Sequence, residues 1–302
     1  MRLSYAPTTS SYRHPQRLLV YLPALPIGTS TARLPVHVNI HGSGFCLNSF
    51  GADADFCAWL ADSVLCVVVD IEHRKAPEHP WPAAPNDVRD ATGVVRELAE
   101  SHGWDANRIS IGGFSSGGNL ALVEASRVRE RDEGMLCAVI AFYPSTNLAE
   151  PASKKPQLQI AKGGAGSPMP IWFRRFLYSC YLPHTVVHNT QEMNIPPGDD
   201  KPTRADPRIS PLSAKAGNFP PATIITASQD SLQREAVQLV DKLKGEGKDV
   251  VHWEAPGQGH GWNLSAKDNT EPGKLRLQAY ELTRDRLRDA HEKALVPPST
   301  SS

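Results

Sequence analysis

Residues 108–119 read RISIGGFSSGGN: a β-branched run enters the pattern Gly-x-Ser-x-Gly and continues into an amphipathic stretch. Gly113 and Gly117 allow the chain to turn sharply, which places Ser115 at the apex of a strand-to-helix bend. There the hydroxyl lies at a helix N-terminus, whose dipole favours developing negative charge. The pattern is common by chance, and its alternative reading is a glycine-rich turn with an idle serine. The preceding strand and following helix favour Ser115 as a nucleophile.

The rest of the chain repeats this alternation of strand and helix. Apolar runs suited to strands buried on both faces occur at residues 17–23, 36–40, 65–71, 108–114, 137–143, 222–227 and 250–255. Apolar residues at three- and four-residue spacing predict helices near residues 52–61, 86–102, 118–131, 232–245 and 273–293. The pattern predicts a single α/β domain over residues 1–302 rather than two separate units.

Residues 149–208 interrupt this alternation. They are rich in Pro, Gly and Lys and show no strand pattern. A helix is predicted at residues 170–181, and its large apolar side chains crowd one side: Trp172, Phe173, Phe176, Leu177 and Tyr181. An insertion of this size is usually functional or a lid. The alternative is an irregular loop that carries one packed helix.

The composition excludes several classes of function. Equal numbers of basic and acidic residues, 32 of each, remove the positive charge expected of a protein that binds nucleic acid or an anionic membrane surface. Five scattered cysteines without a CxxC pair predict neither a disulfide framework nor a zinc ribbon, and they favour a reducing compartment. Without a signal peptide or a long apolar run, we expect no membrane span and a cytoplasmic location.

A serine nucleophile needs a base, and the base needs an orienting acid. In this elbow arrangement the acid follows the serine along the chain and the histidine comes last. Asp230 ends a strand and its loop (TASQD), and His260 lies in GQGHGW after the next strand, where an open α/β sheet gathers its site. The alternatives are a helix N-cap for Asp230 and a turn residue for His260. Chain order favours both as partners of Ser115.

The loop at residues 41–45, HGSGF, follows the strand VHVNI. Backbone N–H groups of such a small-residue loop can converge on a bound carbonyl oxygen, as an acyl-transfer site requires. The N–H of Ser116, next to the nucleophile, would be a further donor. A phosphate-binding loop fits poorly because neither GxGxxG nor Gly-Lys-Ser/Thr is present.

In order along the chain, the blocks HGSGF, EHRKAPEHPWPAA (residues 72–84), GFSSGG, DPRISPL (residues 206–212), SQDSL and GHGW resemble the hormone-sensitive-lipase branch of the α/β-hydrolases. The resemblance implies an α/β-hydrolase fold with a mostly parallel central sheet of about eight strands, flanking helices and an inserted helical cap. It also implies a serine esterase that uses no cofactor and no metal and acts on small or short-chain esters.

Carried over by position, the resemblance implies that Ser115 is the nucleophile, Asp230 the acid and His260 the base. The oxyanion-hole amides would belong to Ser43, Gly44 and Ser116. Residues 149–208 would form most of the cap, because members of this family usually have cap helices before their first strands and here sheet-like sequence begins almost at once.

Two further departures from the family concern single side chains. Ser43 stands where the family pattern HGGG has glycine, so its hydroxyl narrows the oxyanion hole or adds a donor. Phe114 stands where the family usually has an acidic residue. The residues predicted to contact substrate, with core packing as the alternative, are Phe45, Phe114, Trp172, Phe176 and Trp262.

The leading hypothesis is therefore a serine carboxylesterase that acts through an acyl-enzyme on a small-molecule ester. A specialised deacetylase, lactonase, amidase or acyl transferase of small-molecule metabolism would use the same intermediate and is the main alternative. The gibberellin receptors resemble this family but lack its histidine; since this chain keeps all three triad residues, a purely ligand-binding role is the least favoured reading. We expect no nucleic-acid partner, and a homodimer is left open.

Overall fold

A mixed sheet forms the centre of the structure, a computed structural model that describes residues 2–5, 16–25, 33–130, 136–182 and 203–295. In the described part of the chain this sheet has eight strands in the order β1-β2-β4-β3-β5-β6-β7-β8. The strands are β1 (Arg2–Tyr5), β2 (Gln16–Tyr21), β3 (Leu34–Ile40), β4 (Val67–Ile71), β5 (Trp104–Phe114), β6 (Val139–Phe142), β7 (Ala222–Ala227) and β8 (Val250–Ala255).

Strands β3 to β8 pair in parallel, whereas β2 is antiparallel to β4 and β1 is antiparallel to β2. The prediction of a mostly parallel sheet is confirmed. Strand β1 was not predicted, because RLSY is short and half polar. Strand β5 begins at Trp104, earlier than the apolar run that starts at Arg108.

Helices cover both faces of the sheet. They are α1 (Ala54–Val64), α2 (Ala83–His102), α3 (Ser116–Glu130), α4 (Ile171–Tyr181), α5 (Gln233–Gly245), α6 (Trp262–Ser265) and α7 (Glu271–Lys293). One buried cluster joins Val69 and Ile111 to α2, α3 and α5, and a second joins Val68 and Phe114 to α1 and α7. Successive strand side chains point to opposite faces, so two covered faces explain the unbroken apolar runs. No helix within the described ranges is long and apolar enough to cross a membrane.

Helix α4 is tied to the loop at residues 41–45 through the block at residues 72–84. The N–H of Trp81 donates to the carbonyl of Tyr181 at 2.9 Å, and the N–H of Ala76 donates to that of Phe45 at 2.9 Å. The predicted helix at residues 170–181 is thus confirmed and packs beside the carboxyl edge of the sheet. Residues 183–202 of the predicted insertion lie outside the described residues.

Candidate active site

Ser115 lies at the bend between β5 and α3. Its φ is +54°, in the left-handed region that non-glycine residues rarely adopt, and its N–H donates to the carbonyl of Phe142 at 2.9 Å. A Cβ atom added to Gly117 would lie 2.0 Å from the carbonyl oxygen of Ile40, and one added to Gly113 would lie 2.5 Å from it. The main chains therefore approach too closely for any side chain, which explains the glycines of the motif.

His260 and Asp230 continue a line of hydrogen bonds that begins at Ser115. The Nε2 atom of His260 lies 2.8 Å from the Oγ of Ser115, and its Nδ1 lies 2.6 Å from an Asp230 carboxylate oxygen. Asp230 is buried, and its other oxygen accepts the N–H of Leu232 at 3.0 Å. Both predicted readings of Asp230 thus have a structural counterpart, since one carboxylate contacts the imidazole and the turn before α5.

Two residues outside the predicted motifs position His260. Ser167 forms an isolated antiparallel bridge with it: the Ser167 N–H donates to the His260 carbonyl at 2.8 Å, and the reverse bond measures 3.2 Å. The ring of Tyr143 meets the imidazole edge-on, with centroids 4.9 Å apart. Tyr143 directly follows β6, so its place at the carboxyl edge was readable from the sequence. Nothing in the sequence marks Ser167.

The predicted oxyanion amides lie together beside the nucleophile. The N–H of Ser43 donates to the Oγ of Ser116 at 2.9 Å, and the two hydroxyl oxygens are 3.2 Å apart. The Oγ of Ser43 also accepts the N–H of Phe45 at 3.1 Å. Within the described ranges the N–H of Gly44 makes no hydrogen bond to protein. That of Ser116 begins α3, where N–H groups have no partner inside the helix. The Ser43 amide is therefore the engaged one.

Two buried histidines stack on each other at the start of this loop. The rings of His41 and His73 stack with centroids 4.8 Å apart. Burial, together with the nearby Lys75 cation, lowers the pKa of His41 to about 3. The same two causes hold the pKa of His73 well below its usual value. Both rings are therefore uncharged at neutral pH.

Three of the predicted substrate-contact residues are core residues in this structure. Phe45 is buried and stacks on Tyr181, with ring centroids 3.8 Å apart. Phe114 and Trp262 are buried in the cluster that also contains Phe56. Phe114 is directed there because alternation along β5 turns its side chain toward α1, away from the face that carries Ile111. Core packing, the alternative reading of these residues, describes their surroundings.

The aromatic residues predicted to line the pocket from helix α4 point outward. Trp172 is 70% exposed and Phe176 is 53% exposed. The helical period instead buries Arg174, Leu177, Tyr178 and Tyr181. Leu177 packs against the loop at residues 41–45: a Cβ atom added to Gly44 would lie 2.7 Å from the Cδ1 of Leu177.

A cysteine nucleophile finds little support beside the loop at residues 41–45. Cys46 follows the loop, but burial and the neighbouring Cys180 raise the pKa of its thiol to about 12, so it is not a thiolate nucleophile. All five cysteines are free. No group of three His, Cys, Asp or Glu side chains able to hold a metal occurs in the described part of the chain.

Comparisons with known proteins show which family the chain is similar to. Residues 37–264 match the family described as alpha/beta hydrolase fold. Esterase LipI of Mycobacterium tuberculosis is 30% identical over 269 residues, which cover 82% of this chain and 76% of LipI. The ethyl acetate hydrolase of Pseudomonas putida is 29% identical over 223 residues, covering 73% of this chain and 64% of that protein. An esterase of Pyrobaculum calidifontis superposes with a TM-score of 0.75 at 26% identity, covering 96% of this chain and 85% of that one.

Proposed function

Because this chain belongs to the alpha/beta-hydrolase fold family, in its hormone-sensitive-lipase-like branch, we propose how it works as a carboxylic ester hydrolase. Ser115 is the nucleophile, His260 the general base and Asp230 the orienting acid. The observation that carries the assignment is the unbroken line of hydrogen bonds, 2.8 Å from Ser115 to His260 and 2.6 Å from His260 to Asp230. Hydrogen-bond reach between nucleophile, base and orienting group is the geometry this chemistry needs.

In the first half of the reaction the Oγ of Ser115 attacks the ester carbonyl carbon while Nε2 of His260 takes its proton. Asp230 accepts the Nδ1–H of the imidazole and stabilises its positive charge. The tetrahedral intermediate collapses, and the departing alkoxide receives the proton from His260. In the second half the same imidazole takes a proton from a water molecule, whose oxygen attacks the carbonyl carbon of the acyl-enzyme. The bond from that carbon to Oγ then breaks, His260 returns the proton to Ser115, and the carboxylic acid is released.

The negative oxygen of the tetrahedral intermediate is stabilised by the N–H groups of Ser43, Gly44 and Ser116. The Ser116 hydroxyl accepts the Ser43 N–H at 2.9 Å in this structure. Rotation of this hydroxyl about its Cα–Cβ bond frees the Ser43 N–H for the substrate. The hydroxyl of Ser43 makes this oxyanion hole more polar than one that has glycine at this position.

We infer that the substrates are small or short-chain esters and that residues 149–208 form a cap within one hydrolase domain spanning residues 1–302. Two features support the cap: Leu177 of α4 lies against Gly44, and Ser167 bridges His260. The name of the Pseudomonas relative, ethyl acetate hydrolase, supports the proposal that the substrate is a small ester. The zero net charge supports a small-molecule ester rather than nucleic acid, and the free cysteines support a cytoplasmic location. A homodimer stays a prediction.

The test is Ser115→Ala, assayed on p-nitrophenyl acetate and butyrate. Since loss of a triad nucleophile typically lowers kcat by about 10⁶-fold, turnover should fall to the background rate. Labelling of wild-type protein by a fluorophosphonate should disappear in the variant. Ser126→Ala on the same helix, whose hydroxyl bonds to the carbonyl of Val123, is the matched control and should keep activity and labelling. Near-wild-type turnover by Ser115→Ala would contradict the assignment.

A further inference from the structure

Arg174 is fully buried on the inner face of α4, and most of its hydrogen-bonding capacity is unused. Its Nη1 donates to the carbonyl of Pro156 at 3.4 Å, whereas its Nε and Nη2 find no partner in the described part of the chain. Buried polar groups are normally matched, and an unmatched buried charge is strongly destabilising. A guanidinium cannot escape by losing its proton under physiological conditions. The side chain therefore calls for an acceptor that comes from outside the described chain.

The two unmatched nitrogens are the pair that holds carboxylates elsewhere in this protein. Nε–H and one Nη2–H project side by side from the guanidinium, so together they fit the two oxygens of a carboxylate. The same two nitrogens contact a carboxylate in Arg17 with Glu72, Arg74 with Asp87, Arg127 with Glu124 and Arg208 with Asp206. In Arg174 these two nitrogens are buried and have no partner within the described residues.

The two carboxylates whose charges act on Arg174 are already engaged. Glu235 forms a buried ion pair with Lys155 and also accepts the N–H of Thr146 at 2.8 Å. Asp230 is hydrogen-bonded to His260. Burial lowers the pKa of Arg174, while the charges of Tyr178, Asp230 and Glu235 act in the opposite direction. These carboxylates attract the cation without contacting its Nε or Nη2 atom.

Arg174 shares one face of α4 with a residue that contacts the loop at residues 41–45. It is less than one helical turn before Leu177, and both belong to the buried face of α4. Leu177 contacts the loop at Gly44, one of the proposed oxyanion amides. The unpartnered nitrogens of Arg174 therefore belong to the buried face of α4, the face from which Leu177 reaches the loop at residues 41–45.

We propose that Nε and Nη2 of Arg174 bind a free carboxylate of the substrate, so that the preferred esters carry a second, unesterified carboxyl group. The inference rests on the proposed esterase function and narrows its substrate class. Arg174 acts as a binding residue, and the reaction at Ser115 is unchanged.

The first test compares pairs of esters of equal shape. Monoethyl succinate is paired with ethyl isocaproate, which has an isopropyl group in place of the carboxylate, for an anion on the acyl side. Acetoxypropionate is paired with isoamyl acetate for an anion on the alcohol side. Wild-type protein should favour the anionic member of one pair in kcat/KM, and the favoured pair reports which side of the ester lies under α4. Equal or lower kcat/KM for both anionic esters would overturn the proposal.

The second test removes the guanidinium of Arg174, whose forked Nε and Nη2 donors would bind the carboxylate. Arg174→Met should lower kcat/KM for the favoured anionic ester by about 10- to 100-fold, the range of hydrogen bonds between charged groups, and should leave the neutral ester unaffected. Arg174→Lys keeps the charge without the fork and should recover part of the loss. Arg175→Met changes the exposed neighbour on the same helix and is the matched control. An equal loss on both members of a pair would overturn the proposal.

A structural role and a failed esterase assignment are separated by two readouts. Because Arg174→Met removes an unmatched buried charge, its Tm should equal or exceed that of wild type; a large decrease in Tm with equal loss on both esters identifies a structural arginine. Binding of monoethyl succinate and acetoxypropionate to Ser115→Ala protein, measured by calorimetry, does not depend on turnover. Binding that disappears in the Ser115→Ala, Arg174→Met double variant supports the carboxylate site even if the esterase assignment fails. If the double variant binds these esters as tightly as Ser115→Ala does, the carboxylate site is overturned.

Discussion

The bend at Ser115 and helix α4 are built in different ways. At the elbow the main chain decides the geometry: Gly117 and Ile40 approach until a Cβ atom would lie 2.0 Å from a carbonyl oxygen. On α4 the side chains decide it, with Arg174 buried and Trp172 exposed. Reaction chemistry is thus set where the backbone leaves no freedom, whereas substrate choice is set where single side chains can change without moving the fold.

The buried carboxyls near the loop at residues 41–45 and the buried guanidinium of α4 differ in how their charge can be neutralised. Beneath the loop at residues 41–45, Asn39 donates to Asp70 at 2.9 Å, and Asp53 lies beside them. Burial raises the pKa of Asp53 to about 7, and burial together with Asp53 raises that of Asp70 to about 8, so these carboxyls can hold a proton instead of a charge. Arg174 has no such escape. A buried carboxyl can stabilise itself by protonation, and a buried guanidinium needs a partner.

After Ser115→Ala, the largest expected effect is that of Asp230→Asn, which changes the far end of the hydrogen-bond line from Ser115. Asp230→Asn should keep the fold but lower kcat by about 10⁴-fold, because the amide no longer holds the imidazole in the tautomer that accepts a proton from Ser115. The measurement is steady-state turnover of p-nitrophenyl butyrate, with Asp241→Asn on the surface of α5 as the matched control. If the Asp230 variant kept most of its kcat, its carboxylate would serve only the turn before α5.

The next effect concerns the backbone at the elbow. Gly117→Ala should lower the free energy of unfolding by about 3 kcal/mol, since the added methyl group collides with the carbonyl oxygen of Ile40. The control is Gly93→Ala in α2, where no atom lies within 4 Å of the new Cβ. That change should raise stability by about 0.5–1 kcal/mol. Urea unfolding measures both, and a neutral Gly117→Ala would remove the contrast between the two regions.

The buried carboxyls predict a pH dependence of stability. Because the folded-state pKa of Asp70 is raised to about 8, its contribution is fully present below the ordinary carboxyl pKa and is lost as the pH rises through about 8. Wild-type Tm should therefore fall between pH 5 and pH 8 (~1 kcal/mol of unfolding free energy per pH unit). Asp70→Asn should flatten this slope, whereas the exposed Asp55→Asn should not. Parallel slopes for all three proteins would mean that Asp70 is ionised in the fold.

The smallest effect belongs to the outer face of α4. Trp172→Ala should change the free energy of unfolding by no more than about 0.5 kcal/mol, because the side chain is 70% exposed. It should also leave kcat/KM for short esters unchanged. Thermal unfolding and the same ester assay measure both quantities. A selective loss on longer esters would instead assign Trp172 to the substrate path.

The sequence predicted best what depends on the main chain. Apolar runs located most of the strands because both sheet faces are covered, and the glycines around Ser115 marked the elbow because nothing larger fits. Asp230 and His260 followed from chain order. The limits came from side-chain directions: hydrophobicity suggested that Trp172 and Phe176 face inward, whereas the helical period buries Arg174 instead. The hydrogen bond from the Ser43 N–H to the Ser116 hydroxyl depends on a rotamer, which no sequence pattern specifies.

The bridge between Ser167 and His260 has a consequence for chimeras made by exchanging cap segments between relatives. Its two main-chain hydrogen bonds join the catalytic base to a chain segment that precedes α4. An exchange whose junction falls after Met169 replaces the substrate-facing helix and preserves both bonds. A junction before residue 160 also replaces Ser167, which forms the bridge with His260. Chimeras of the first kind should therefore inherit new selectivity with an intact turnover number, whereas those of the second kind should lose rate on every ester.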